Sequence, residues 1–444
     1  RLKARHMIKP RLGLYDLTMI MVSLVIGVGI FRTPQSVAAA SGNETVFFAA
    51  WIFGGLIAFC GALTFAEIGS RMPVAGGFYK LFSYSYHPAY ALMLNWAQVI
   101  VNSASTAVVG IIGARYISPL FLSPAQQTET HIRLLVAGIV LVLFVLNYSG
   151  VKSSARTQNV LSSLKVMLLL LFSAGMFFTK LHPALPVESA GHSLWQAFGL
   201  ALVPVFFSYG GYQNTVNYGA DVREAKRNLP RGILLGLMMV VLLYLCINVA
   251  YVHVLGFGRV QHSELVAADL AGAMFGEAGF RIAALAIFIS VLGFINTSLL
   301  YNPRVYYAMA EEKTLPPVFK RVNEKTQVQE FALCFFTALI FLSLVVFKSF
   351  DDILNYVMFI DTLAMASAAG AIFLFRRKAG KPDPHTGFKI RLFPWIPLVF
   401  LLALLYVNAS VIASHPRESA IGFTIFLLGA PLYYLMRRLY RSKT

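Results

Sequence analysis

The sequence predicts an all-α membrane protein of twelve transmembrane helices. Composition is the first sign: 58% of the 444 residues are hydrophobic and 13% charged, with a mean hydropathy of +0.69, whereas soluble domains run about 25% charged. Apolar runs of the ~20 residues that cross a bilayer core recur along the whole chain. The basic residues behind the net charge of +18 fall between those runs. Topology therefore accounts for them, and no nucleic-acid partner is expected.

The spans are predicted at 14–38, 44–70, 87–117, 131–149, 156–178, 194–219, 231–255, 279–311, 330–347, 352–377, 393–413 and 419–437. Most connections are short, and the long third and eighth spans imply tilt. With both termini on one side, 28 of the 37 Lys and Arg fall at that side's helix ends and loops and seven on the other. Lys and Arg favour the cytoplasmic face, so both termini are expected in the cytoplasm, with the protein multi-pass in the cell inner (plasma) membrane. No cleavable signal peptide is expected, since the first apolar run is too long and lacks a small-residue cleavage site. Met7 offers a start, which makes Arg1 to His6 either an appended segment or a trimmed native end.

Span 1 takes in most of the stretch from Gly13 to Pro34, which carries Ile26-Gly27-Val28-Gly29-Ile30. Glycine weakens a helix, and unwound backbone at membrane depth persists only in protein or beside a cavity. Two readings stand. The glycines let another helix pack closely, or they break the helix. A break frees carbonyls from the first half and N–H groups from Val28, Gly29 and Ile30. Those groups suit the ammonium and carboxylate of an amino acid.

Span 2 runs through Glu67 to a sharp turn at Gly76-Gly77. Glu67 reads as a solvated acid at a helix end, or as part of a charged gate. Span 5 places Lys165 about nine residues in, roughly 13 Å deep at 1.5 Å per residue. A lysine there needs a carbonyl, hydroxyl or carboxylate partner, or must lose its proton. Span 6 carries Phe207-Ser208-Tyr209-Gly210-Gly211-Tyr212, a second candidate break. Interrupted helices at matching places in two halves point to a transporter's site. Carbonyls of Phe207, Ser208 and Gly210 would join those near Ile26 in holding an ammonium. Phe207, Tyr209, Tyr212 and Tyr251 read either as side-chain contacts and lids or as bundle packing. No acid sits near either break, which favours neutral amino acids.

Five ordered motifs resemble the amino acid–polyamine–organocation superfamily, nearest its L-type branch. They are Gly27-Val28-Gly29-Ile30-Phe31, the run Ala62 to Tyr79, the segment from Val151 into span 5, Asp221 to Pro230, and Asn302 to Pro316. Asp221 and Ala225 depart from the family's usual Glu and Pro. The resemblance implies a 5+5 inverted repeat, with spans 1 and 6 broken and spans 11 and 12 outside it. The units would be 1–180 and 181–380, followed by 381–444. It also implies sodium-independent transport, because a helix-5 lysine stands where related folds hold sodium. Lys165 would then bridge helix 1 carbonyls and Ser290, Asn296 or Thr297 in span 8. Alternatively Lys165 titrates and couples uptake to protons. Amino acid exchange and a transport-inactive sensor stay open as well.

Other classes find little support. There is no HExxH, no GxSxG and no loop long enough for a catalytic domain, so an enzyme is not expected. A channel would need a filter loop or rings of charge. Cys60, Cys246 and Cys334 lie in apolar spans without metal spacing, and no cofactor or metal is expected. The resemblance places a heavy-chain cysteine between spans 3 and 4. Ser118 to Thr130 contains none, so no disulfide-linked heavy chain is expected. The partners expected are an amino acid substrate, the lipid bilayer and, on the symport reading, protons. Asn43-Glu44-Thr45 is a glycosylation sequon, discounted for its closeness to the membrane.

Overall fold

The computed structural model describes residues 8–179, 185–189, 191, 193–263, 265–346, 350–379 and 387–441, with backbone alone for 350–358, 379, 440 and 441. Arg1 to Met7 and much of the linker before span 11 lie outside the described residues. Span 1 is two helices, α1 (Leu14–Val25) and α2 (Gly29–Ser41), meeting at 44°. Then come α3 (Glu44–Arg71), a short α4 (Gly77–Ser85), α5 (Pro88–Ile117), α6 (Glu129–Tyr148) and α7 (Val151–Ala174). The second run has α8 (Leu194–Tyr209), a 3₁₀ turn (Tyr212–Asn217), α9 (Ala225–Leu255), α10 (Phe257–His262), α11 (Val266–Phe275) and α12 (Gly279–Glu311). It closes with α13 (Glu330–Val346), α14 (Phe350–Ala379), α15 (Trp395–Ser414) and α16 (Pro416–Arg441).

Among the described residues, 10 helices are long and apolar enough to cross a membrane, and the bent α1–α2 pair makes an eleventh span. The 17-residue α13 is the short apolar helix where the ninth span is predicted. The chain is a multi-pass membrane protein. The additions to the sequence reading are α4, α10 and α11, all too short to register as spans. No named strand occurs among the described residues.

Local chemistry sets the element ends. Asn43 is the N-cap of α3, its Oδ1 accepting the Val46 N–H at 2.9 Å. Gly13 N–H donates to Asp16 Oδ2 at 2.8 Å, which starts α1. Asp16 Oδ1 in turn accepts from Asn159 Nδ2 of α7 at 2.7 Å. The α1–α2 pair sits inside the bundle. α1 packs on α9 and α7, α2 on α8, and α3 on α8 and α9, while α5 packs on α12. Leu134, Leu141, Val142 and Val145 of α6 are exposed and form part of the lipid-facing surface.

The end of the bundle that carries the start of α1 is capped by backbone pairing and buried ions. Arg11 and Leu12 N–H both donate to Asp221 O, at 2.7 and 2.8 Å, and Leu12 O accepts from Arg223 N at 2.9 Å. Asp221 binds Arg304 of α12 through two bonds of 2.7 and 2.8 Å. The guanidinium lies 4.9 Å from the Tyr218 ring centre and also donates to the Leu300 carbonyl.

Glu67 corrects a sequence expectation. It is no solvated helix end: its carboxylate is fully buried. Arg376 of α14 donates to both its oxygens at 2.8 and 2.5 Å, and Arg71 Nε lies 2.8 Å away. The Ile390 N–H adds a bond of 2.9 Å. The acid therefore ties α3 to α14 and to the segment that leads into α15. A buried carboxylate needs this many partners because desolvation alone would expel it.

Candidate functional site

The two interruptions meet at the centre of the bundle. α1 stops at Val25, Ile26 caps it with a last helical bond to the Val22 carbonyl at 2.8 Å, Gly27 leaves the ladder, and α2 restarts at Gly29. α8 stops at Tyr209, and Gly211 takes a φ of +114° that disfavours any side chain. A Cβ on Gly211 would lie 2.1 Å from the Leu24 carbonyl oxygen, so glycine alone lets the breaks touch. Gly29 faces Ser208 less tightly: a Cβ there would lie 3.4 Å from Ser208 Oγ, an ordinary contact, so only a longer side chain would intrude.

The freed groups divide as follows. The N–H groups of Val28, Gly29 and Ile30 find no backbone acceptor among the described residues. They head a 13-residue helix whose dipole favours an anion there. On the carbonyl side the structure is more crowded than expected. Ile26 O accepts from Lys165 Nζ at 2.8 Å, Val25 O from Tyr244 Oη at 3.2 Å, and Phe207 O from Gly210 N at 3.1 Å. Ser208 is the polar side chain left over, with a buried hydroxyl lacking any partner.

Lys165 is 1% exposed and donates to Ser23 Oγ at 2.7 Å as well as to Ile26 O. Its ammonium is thus held by α1 alone at hydrogen-bond distance. It does not bond Ser290, Asn296 or Thr297, the span 8 groups named from sequence. Span 8 contributes space instead: a Cβ on Gly293 would lie 2.7 Å from Lys165 Nζ and from Ser23 Oγ. Asn296 is committed elsewhere, donating to Gln158 Oε1 at 2.7 Å and accepting from Asn147 at 2.7 Å. Thr297 Oγ1 returns to the Gly293 carbonyl at 2.6 Å. The Ser290 hydroxyl is buried without a partner.

The aromatic candidates separate. Phe207 is 40% exposed, unlike the three buried tyrosines. Tyr209 is buried, edge-on to Trp51, and donates to the Trp51 carbonyl at 3.3 Å. Tyr251 is buried over α2, with its hydroxyl 3.4 Å from Ile30 O. Tyr212 is buried, its hydroxyl unpartnered and lodged where a Cβ on Gly61 would stand. Four contributors escaped the sequence reading: Ser23, Gln213, Tyr244 and Gly293. Gln213 Oε1 accepts the Gly211 N–H at 2.8 Å and so stabilises the second break. A polar residue beside a double glycine was the signal available for it.

A family model for amino acid permeases matches residues 12–435. The chain belongs to that family. The match lies within the amino acid–polyamine–organocation superfamily that the motifs implied. The permease is similar to the serine/threonine exchanger SteT of Bacillus subtilis, with 26% identity over 97% of this chain and 98% of that one. It is 28% identical to the mouse large neutral amino acids transporter small subunit 2, over 96% of this chain and 81% of that one. The human cystine/glutamate transporter is 27% identical over 94% and 83%. These relatives are transporters, not enzymes.

Proposed function

We propose that this permease is a secondary active carrier of small and medium neutral L-amino acids that needs no sodium. The observation that carries the reading is the Lys165 ammonium, buried and held by Ile26 O and Ser23 Oγ at the span 1 break. A fixed cation that takes unwound carbonyls leaves no call for a metal cation there. The substrate carboxylate is received by the N–H groups of Val28, Gly29 and Ile30. Its ammonium is received by Ser208 and the carbonyls of Ser208 and Gly210. The absence of an acid beside the breaks supports a neutral side chain.

Access alternates by rocking of spans 1, 2, 6 and 7 against 3, 4, 8 and 9, each set drawn from both five-span units, 1–180 and 181–380. The carrier lies in the cell membrane with both termini cytoplasmic, as the distribution of Lys and Arg supports, and works without a disulfide-linked heavy chain. Likeness to the serine/threonine exchanger favours exchange over proton symport as its mode.

The test is uptake into proteoliposomes across a panel of labelled amino acids, driven by a proton gradient, a sodium gradient or internal amino acid. Flux of neutral amino acids that needs internal substrate and ignores sodium is expected. No flux under any condition would leave only the transport-inactive sensor, and sodium-driven flux would remove the assigned role of Lys165.

A further inference from the structure

The outer face of α9 has a pattern that the transport reading does not use. The helix opens with Arg223, Lys226, Arg227 and Arg231, all exposed. Among the described residues, none of these four side chains has an ion-pair or hydrogen-bond partner. The one acid beside them, Glu224, is exposed and pairs with none of them. Arg227 and Arg231 stand one turn apart, and their face continues through Leu235, Met238 and Leu242, which are 48, 49 and 57% exposed. These spacings of 4, 8, 11 and 15 residues from Arg227 fall on one side of a helix. A different face of α9 turns inward: a Cβ on Gly232 or Gly236 would lie 2.7 Å from Leu17 or 2.4 Å from Met21 of α1.

Topology accounts for cations at this end of the bundle. It does not account for two of them, with no acid in contact, at the head of an exposed apolar stripe. From Arg231 to Leu242 the stripe runs about 16 Å at 1.5 Å per residue, close to the ~15 Å of one leaflet's hydrocarbon. Charge and apolar length therefore follow each other in the order in which a phospholipid carries its phosphate and its acyl chain. The sign selects among phospholipids. A zwitterionic headgroup brings a cation of its own into a cluster of cations, whereas an anionic one brings only the charge that they attract. The position adjoins the moving part of the site: Arg223 N–H donates to Leu12 O at 2.9 Å, and the first half of span 1 rests on the neighbouring face of α9.

We propose that this stripe seats one anionic phospholipid, its phosphate bonded by Arg227 and Arg231 and an acyl chain laid along Leu235, Met238 and Leu242. The occupied seat braces the helix against which α1 packs. The seat needs the membrane-spanning fold and not the substrate assigned above. Native mass spectrometry of the purified permease tests it, by titration with dioleoyl phosphatidylglycerol or dioleoyl phosphatidylcholine. The first is expected to bind about 30-fold more tightly, and Arg227→Gln/Arg231→Gln to remove that preference. Arg231→Gln alone is expected to weaken phosphatidylglycerol about 5-fold, which keeps the test valid where the double variant fails to fold. Lys152→Gln/Arg156→Gln removes equal charge from an exposed pair at the head of α7 and is expected to cost no more than about 2-fold. Glycerol 3-phosphate in large excess is expected not to displace the lipid. Equal affinity for the two lipids, equal losses in the two double variants, or displacement by glycerol 3-phosphate overturns the seat.

Discussion

Lys165 and Glu67 are both buried charges, and the protein accommodates them in opposite ways. Glu67 has two arginines, a backbone N–H and complete enclosure. Lys165 has a serine hydroxyl and one carbonyl, and no acid at hydrogen-bond distance among the described residues. A carboxylate with a full set of cationic donors is a structural tie. An ammonium held by neutral acceptors at a broken helix is poised to respond when those acceptors move. The contrast supports reading Glu67 as a joint of the scaffold and the proposed role of Lys165 as a working part, although both residues look alike as isolated charges in apolar sequence.

The comparison is broken most severely at the tie. Removing one member of a buried pair costs about 3–5 kcal/mol because the other is left uncompensated. Glu67→Ala is therefore expected to lower the unfolding temperature of the purified protein sharply and to reduce its yield, with Arg376→Ala close behind. Wild-type thermal stability in Glu67→Ala would show that the tie is dispensable. A smaller loss of stability but a full loss of function is expected at the junction. In Gly29→Leu the new side chain enters the space beside Ser208 Oγ, 3.4 Å from the Cβ position. Amino acid flux is expected to vanish while size-exclusion behaviour stays monodisperse; retained flux would detach Gly29 from the site.

The smallest effect lies outside the spans. His262 Nδ1 donates to the Gly258 carbonyl at 2.7 Å, and its Nε2 pairs with Glu188 at 3.2 Å. Those partners, the carbonyl first and the carboxylate second, push its pKa above the ordinary histidine value. The folded value exceeds the unfolded one, so the contact contributes fully below the unfolded pKa of about 6.5 and fades as pH rises through the raised value. Amide exchange in α10 is expected to quicken modestly over that interval at matched intrinsic rates. His262→Gln removes the pH dependence, and an unchanged profile in that variant would assign it to another group.

The spans were legible because an apolar run of bilayer length needs no knowledge of its neighbours. The breaks were legible as glycine pairs with polar company, and Lys165 as a cation too deep to reach water. What joins distant spans was not. Glu67 meets Arg376 across 309 residues, and Gln98 meets Asp361 across 263, and nothing local marks either pair. Arg376 stands beside Arg377 and Lys378 at the predicted end of span 10, where basic residues are common, and nothing in that run marks it as the partner of Glu67. Gly293 was hidden for a different reason. A glycine in a long helix reads the same whether it admits another helix or a lysine tip, and only the packing tells which. α10 and α11 escaped because helices of 6 and 10 residues leave no span-length signal.

The central claim is that the Lys165 ammonium serves the span 1 break as a fixed cation. Its most direct test is exchange of a labelled neutral amino acid in proteoliposomes for wild type and Lys165→Ala, in sodium and in choline, with thermal unfolding followed on the same preparations. The account predicts equal wild-type flux in both salts and flux reduced about 100-fold or more in Lys165→Ala, given the loss of a charged hydrogen bond at the site, in protein that still unfolds cooperatively. Wild-type exchange by Lys165→Ala would contradict it.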